Sequence, residues 1–280
     1  MKNFSLREQI ALLILHSICR KKNYADYVEA DNRVLFEKAL ASSSEFFLRF
    51  NNKADFRNKT ILDVGCGLGA TCYYMALNGA KRVVGLDIDR KALAFAKSKL
   101  KDYPEFIGQL VFLSPEQMNN EKFDLVVSKD SFEHFQNPEQ FMLALRGYLK
   151  PDGKLIIGFS PLWKSPYGGH TGTLTIMPWV HLLFPERVLV EELRRFLRDE
   201  KISSLTQIAG GLNKMVLSRF LRITQKSGLS FGFFKTNASS TFKIRYLLLI
   251  FTILAHIPGA KEYFTVNLYS ILRVSTSINQ

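Results

Sequence analysis

The run DVGCGLGA from Asp63 to Ala70, followed by VVGLDID ending on Asp89, constrains the fold more than any other stretch of the chain. Ile61, Leu62 and Val64 read as a short apolar strand. Gly65, Gly67 and Gly69 then let the backbone turn tightly and approach a ligand before a helix opens near Thr71. A second strand, Arg82 to Ile88, carries Asp87 at its end, 22 residues after Gly65. That interval is one β-α-β repeat, and in a nucleotide-binding repeat an acid at this place reads the ribose hydroxyls. The pattern predicts an α/β fold with a doubly wound sheet.

A glycine turn alone serves several nucleotides, and the dinucleotide form G-x-G-x-x-G/A is met here if Ala70 fills the last place. Charge separates the readings. A pyrophosphate at a helix N-terminus favours N–H donors with no acid beside it, whereas Asp63 stands two residues before Gly65. S-adenosylmethionine (SAM) brings an ammonium and a sulfonium, so a carboxylate at this turn attracts it. Asp63, Gly65, Cys66, Gly67 and Gly69 are therefore expected around the methionine portion, with Asp87 and Ile88 at the ribose. An NAD(P)-dependent oxidoreductase is the competing reading. A non-catalytic SAM-binding module that docks partners through a basic face is another.

On these residues the chain resembles the class I SAM-dependent methyltransferases, of the type 11/12-like branch that acts on small molecules and lipids, whose first motif is an acid followed by G-x-G-x-G. The likeness continues through FDLVVSKDSFEHF (Phe123 to Phe135) and LKPDGKLII (Leu149 to Ile157), covering roughly residues 58–160. It implies a Rossmann-like sheet of seven strands in the order 3-2-1-4-5-7-6, the seventh antiparallel. It also implies an acid after the third strand to bind the adenine amino group. Here the third strand is Gln109 to Leu113 and the following text is SPEQM, which leaves Glu116 and Gln117 as candidates. The segment SFEHF is similar to one in cyclopropane-fatty-acid-synthase-like methyltransferases, where the acid and the histidine belong to the active site, and this points towards lipid chemistry.

Two stretches carry candidate catalytic and acceptor residues. At the exit of the fourth strand stand Lys129, expected to border the cofactor, and Asp130, expected to border the acceptor. Glu133 and His134 follow; His134 is either a general base, with an ordinary pKa near 6.5 suited to that task, or part of the scaffold that starts the next helix. The segment SPLWKSPYGGHTGT, from Ser160 to Thr173, has prolines and paired glycines that exclude a regular element, yet contains costly aromatic residues. It reads as a substrate lid in which Trp163 and Tyr167 form an apolar wall and His170 is a hydrogen-bonding or basic group; the plain alternative is a loop whose aromatic rings pack on the sheet. His181 reads as a core or surface histidine, and Cys66 as a small apolar filler rather than a catalytic thiol. Methyl transfer needs in-line placement, worth roughly 7 to 11 kcal/mol of barrier, so no triad or metal cluster is expected, and the five histidines are scattered.

Composition places the rest. With 280 residues, 47% of them apolar, and no internal repeat, the chain can bury one enzyme-sized core. Three cysteines without a paired framework indicate a reducing, cytoplasmic setting. The net charge of +13 lies outside the cofactor core: residues 61–160 carry 12 basic and 12 acidic side chains, residues 161–280 carry 15 and 6. Such a surplus suits an acidic substrate or an anionic membrane, or is merely solvated. Two apolar runs, Ile10 to Cys19 and Tyr246 to Ile257, are too short to span a bilayer, and no signal peptide or spanning helix is expected. The second, flanked by Lys243 and Arg245, reads either as a helix packed on the sheet or as an interfacial helix, which would give peripheral membrane contact through residues 243–258. The expected organisation is a helical lead-in (1–57), a SAM-binding core (58–160), a lid insertion with a helix (161–227), and C-terminal strands with an apolar helix that complete the same domain (228–280). The expected partner is a small-molecule, lipid or sugar acceptor. Nucleic acid is not, because the fourth strand exits into SKDS rather than [DN]-P-P-[YFW] and no Pro-Cys nucleophile pair occurs.

Overall fold

The computed structural model describes residues 4–19, 31–239 and 242–275. Its strands are β1 (Thr60–Val64), β2 (Arg82–Leu86), β3 (Leu110–Leu113), β4 (Phe123–Lys129), β5 (Leu149–Phe159), β6 (Leu229–Thr236) and β7 (Leu268–Val274). They form one sheet in the order β3-β2-β1-β4-β5-β7-β6. The first five are parallel, and β7 runs antiparallel to both β5 and β6. This is the expected order and handedness of pairing.

Parallel strands require covered crossovers, so both faces of the sheet are buried and the strands read as continuous apolar runs. Adjacent residues point to opposite faces. Ile61, Val83, Leu125 and Ile156 enter one core, whereas Leu62, Val84, Val126 and Leu155 enter the other. The first core is closed by α2 (Asn32–Leu48), α3 (Ala70–Leu77) and α4 (Arg90–Ser98), and is rich in aromatic rings. The second is closed by α5 (Pro138–Gly147) and α7 (Leu217–Lys226), with Phe132, Phe159 and Phe220 mutually in contact.

The insertion after β5 contains a helix of its own upstream of α7, α6 (Glu186–Leu197). Its apolar face, including Val188, Leu189, Leu193 and Phe196, buries against α1 (Leu6–Ile18) through Leu15. A third, smaller core therefore joins the N-terminal helix to the insertion. Residues 1–3 and 20–30 of the expected helical lead-in lie outside the described residues.

Element ends differ from the sequence reading in instructive places. β2 stops at Leu86, so Asp87 stands just past the strand rather than within it. Within the 161–227 segment the expected helix is α7, which begins only at Leu217, because Lys214 has φ 54° and the Glu262 carboxylate accepts the N–H groups of Leu217 and Ser218. The apolar C-terminal helix, α8 (Phe242–Leu254), leaves most of its surface uncovered instead of packing a face on the sheet. No helix of the described residues is long and apolar enough to cross a membrane.

Phe46 ties α2 to the sheet edge that bears the site. Its ring is fully buried, lies 5.0 Å from Phe47 and 5.8 Å from Tyr269, and occupies the room left by Gly158 on β5, where a Cβ would approach Phe46 to 2.7 Å. Truncating Phe46 to Ala leaves a cavity among rigid rings, and we expect a loss of about 3 to 5 kcal/mol in denaturant unfolding; a loss below about 1 kcal/mol would show that this contact does not anchor α2.

Candidate active site

The C-terminal ends of β1, β2 and β4 lie side by side, because the three strands pair in parallel register. The turn after β1 is built from three glycines with φ of 79°, 51° and 83° at positions 65, 67 and 69. A Cβ on Gly65 would fall 2.5 Å from Ser131 Oγ, so this glycine lets the loop touch the exit of β4. Gly67 differs: a Cβ there would meet nothing within 4 Å, so its backbone faces open space. The Gly67 N–H donates to Asp87 Oδ2 at 2.7 Å, and the Asp89 N–H donates to Asp87 Oδ1 at 2.9 Å. Asp89 itself caps α4 by accepting from Lys91 and Ala92. Between these acids Ile88 is 82% exposed, an apolar side chain offered to solvent beside the carboxylate.

Asp63 lies beneath the loop, 1% exposed, and accepts a hydrogen bond from the Cys72 thiol at 3.2 Å. Burial pushes its carboxyl up to about 6, against that hydrogen bond and the nearby Lys129 ammonium. Cys66 is buried as the filler reading expected. Its contact with Cys72 lowers its pKa, but burial and the Asp63 and Asp87 carboxylates outweigh this and leave it raised, so the thiol stays protonated. The site thus offers a buried negative group, a carboxylate at the loop's edge and an apolar side chain around open backbone. That donor set fits a ligand with a cationic end, hydroxyls and an aromatic ring.

The candidates after β3 follow Leu113, whose carbonyl accepts from the Asp87 N–H at 3.2 Å. Gln117 Oε1 accepts from the N–H and hydroxyl of Ser114, and Glu116 is exposed with its carboxylate 3.9 Å from Arg90. Both border a cavity of about 330 Å³ together with Arg90, Leu93 and Lys97 on α4.

At the exit of β4, Lys129 Nζ lies 3.0 Å from Asp130 Oδ2 and 5.6 Å above the Phe46 ring. Asp130 takes φ 48°, which turns the chain sharply into a short 3₁₀ turn, Phe132–His134. His134 Nδ1 is hydrogen-bonded to the Gly211 carbonyl; a carbonyl only accepts, so Nδ1 carries a proton, and in the neutral ring the lone pair is on Nε2. Nε2 is 3.9 Å from Glu133 Oε1. Glu133 is 4% exposed, its Oε2 has no hydrogen-bond partner, and burial pushes its pKa up to about 8.

The structure brings the two candidate bases together. The His134 and His170 rings, 36 residues apart in the chain, meet edge to face with centroids 5.7 Å apart. Burial, aided by His134 and His181, lowers the His170 pKa to about 4, so its imidazole is neutral, and its Nε2 is buried without a partner. Trp163 and Tyr167 are not held against this pair. The Trp163 ring packs in the third core, under Lys214 and against His181, and the Tyr167 hydroxyl donates to the Ile176 carbonyl. His181 is a core histidine, 5% exposed and bonded to the Trp163 carbonyl.

Asn213 is a site residue that sequence reasoning missed. Its side-chain amide donates to the carbonyls of Phe132 and Phe135, its N–H donates to the Glu133 carbonyl, and its Oδ1 is buried and unpartnered. It clamps the turn that carries Glu133 and His134. Nothing in the text GLNKM, some 80 residues downstream of that turn, signals this role. Among the described residues no group of three or more His, Cys, Asp or Glu side chains is placed to hold a metal ion.

Comparison with known proteins matches residues 62–157 to the methyltransferase domain family. The mitochondrial ubiquinone biosynthesis O-methyltransferase of Schizosaccharomyces pombe is 28% identical over 54% of this chain and 57% of its own length. The tRNA U34 carboxymethyltransferase of Marinobacter nauticus is 36% identical over 41% of this chain and 38% of its own. The chain thus spans only about half the length of these curated relatives, and their acceptors differ. A SAM-dependent methyltransferase of Mesorhizobium loti shares the fold, with a TM-score of 0.54 at 17% identity over 84% of this chain and 99% of that one.

The buried Glu133 makes stability depend on pH in a defined direction. Its folded pKa, about 8, lies above the ordinary value of 4.5, so the stability it contributes as a neutral acid is complete below about pH 4.5 and is lost as the pH rises through 8. Asp63 and His170 titrate too, but equally in a variant altered only at position 133. We expect Glu133→Gln to match the parent in urea unfolding near pH 4.5 and to exceed it by on the order of a few kcal/mol near pH 8. A constant difference across this range would place the carboxyl in a solvated setting.

Proposed function

We propose that this chain is a class I SAM-dependent methyltransferase that transfers a methyl group to a small-molecule, lipid or sugar acceptor held between the β4 exit and the insertion, a reading supported by the methyltransferase-domain match over residues 62–157 and by the sheet order. The observation that carries this reading is the open backbone at Gly67, hydrogen-bonded to Asp87 and flanked by Ile88. When bound, SAM supplies an activated methyl on a sulfonium. Asp87 is assigned to the ribose hydroxyls and Ile88 to an apolar face of the adenine. The loop of Gly65, Cys66, Gly67 and Gly69 is assigned to the methionine end, with Asp63 providing negative charge from below and Lys129 closing the border. Glu116 and Gln117 are the candidates for the adenine edge.

The methyl that SAM would supply would pass to a lone pair on the acceptor, which the β4 exit and the insertion would hold in line behind it. The proton lost by the acceptor must go to a nearby base. His134 is suited to take it, since Gly211 fixes the tautomer that leaves Nε2 free to accept. His170, neutral and unpartnered at Nε2, orients the acceptor from the lid side, with Asp130 beside it. Trp163 and Tyr167 hold the lid's shape. Ser131 touches Gly65, which brings the turn carrying His134 next to the glycine loop.

Incubation with methyl-labelled SAM and a cell extract tests this reading. Labelled product should form with the parent and fall about 10²- to 10⁴-fold with His134→Ala, while S-adenosylhomocysteine raises the Tm of both proteins equally. Transfer unchanged in the variant removes His134 from catalysis. A Tm raised by NADH and not by S-adenosylhomocysteine removes the methyltransferase reading itself.

A further inference from the structure

The helix α8 presents a physical contradiction in water. Its sequence, FKIRYLLLIFTIL, is apolar nearly all round, the pattern of a helix buried in a core or lying in lipid. Yet Leu248 is the one buried hydrophobic residue among its described side chains. Leu249, Ile250 and Ile253 are 57%, 54% and 63% exposed, Ile244 and Leu247 on the same helix are about half exposed, and so is Ile257 just beyond it. Contiguous apolar surface of this kind marks an interaction site. At 13 residues, about 20 Å long, the helix is too short to cross a bilayer but long enough to lie in its interface.

The charge around the helix identifies the surface it fits. Residues 228–280 contain five basic side chains and a single acid, Glu262, whose carboxylate is already engaged by the N-terminus of α7. Arg245 on the helix joins Arg49 and Lys235 around a cavity of about 630 Å³ beside Tyr246 and Leu249, and Arg49 Nε is buried there without a partner. Tyr246 and Tyr263, both partly exposed, are residues suited to the headgroup level. Cations and half-exposed tyrosines bordering an apolar face match an anionic phospholipid surface. A second cavity, of about 390 Å³, reaches from the inner side of α8 at Ile244 and Leu248 past Tyr269 and Ser160 to Lys129 and Asp130 at the candidate active site.

We propose that α8 docks on an anionic phospholipid surface and that this second cavity admits an amphiphilic acceptor from that surface to the methyl donor. The second half of this statement rests on the methyltransferase reading above; the docking half does not. The acceptor class is then a membrane-resident molecule, held by its apolar part along α8 while its reactive group reaches Lys129 and Asp130.

Flotation with vesicles tests the docking, using phosphatidylcholine alone and phosphatidylcholine mixed with phosphatidylglycerol. The parent should float with the mixed vesicles and far less with the neutral ones, and the double variant Ile250→Asp, Ile253→Asp should lose at least about tenfold in binding. The same variant should keep the Tm increase given by S-adenosylhomocysteine, which shows that it is folded and separates this proposal from the cofactor assignment. With labelled SAM and extract, the parent should place label in the organic phase, and the double variant should place less. Absence of flotation, or equal flotation of parent and variant, overturns the docking. A concentration-dependent dimer in sedimentation that the double variant abolishes also overturns it, because a second copy of the chain then covers α8. Label found only in water-soluble or RNA fractions overturns the acceptor route.

Discussion

The hydrogen bond from the Gly67 N–H to the Asp87 carboxylate joins the turns after β1 and β2, and the rest of the site is arranged around it. It forms because β1 and β2 are paired in register, with Val64 opposite Leu86, so both strands end at the same height. The Gly65 contact with Ser131 brings in the exit of β4 as the third wall. A side chain at Gly65 would push this wall away, and its positive φ would strain any other residue. Sheet register, glycine conformation and one charge-assisted hydrogen bond thus fix the open ground in front of Gly67 before any ligand arrives.

Around that ground the chain buries groups that cost stability. Glu133 Oε2, His170 Nε2 and Asn213 Oδ1 lie in the interior without partners, and Asp63 is sealed beneath the loop. Each unsatisfied buried group costs about 1 to 3 kcal/mol, so such a cluster persists only where the surrounding packing overdetermines it. That packing is visible in the aromatic contacts among Phe132, Phe159 and Phe220 under the turn, and in Phe46 against Tyr269 at the sheet edge. The stabilising contacts and the costly ones are therefore neighbours.

How much of this was legible in the sequence depends on the range of the contact. The strands were readable, because burial on both faces leaves continuous apolar runs bounded by glycine and acid, as in Ile61 to Val64 and Arg82 to Leu86, whereas their order followed only from the resemblance to a known family. The division of labour between Asp87 and Asp89 was half readable: the spacing pointed to Asp87, whereas the capping role of Asp89 needs the helix start. The meeting of His134 with His170 was not readable, since each was a candidate by residue type alone and no periodicity links positions on a loop and a lid. Asn213 was invisible for the same reason. The sequence left two readings of α8 open, packed on the sheet or exposed, because an apolar run states what a helix avoids in water, not which neighbour relieves it.

Calorimetric titration of S-adenosylhomocysteine into the parent and into Asp87→Asn tests the central claim most directly, since the substitution preserves shape and removes the charge that links loop and ligand. A hydrogen bond to a charged group is worth about 1.5 to 3 kcal/mol, so the account predicts saturable binding by the parent and a Kd roughly tenfold to a hundredfold weaker in the variant. Equal affinity in the two proteins, or no binding by the parent, would contradict it.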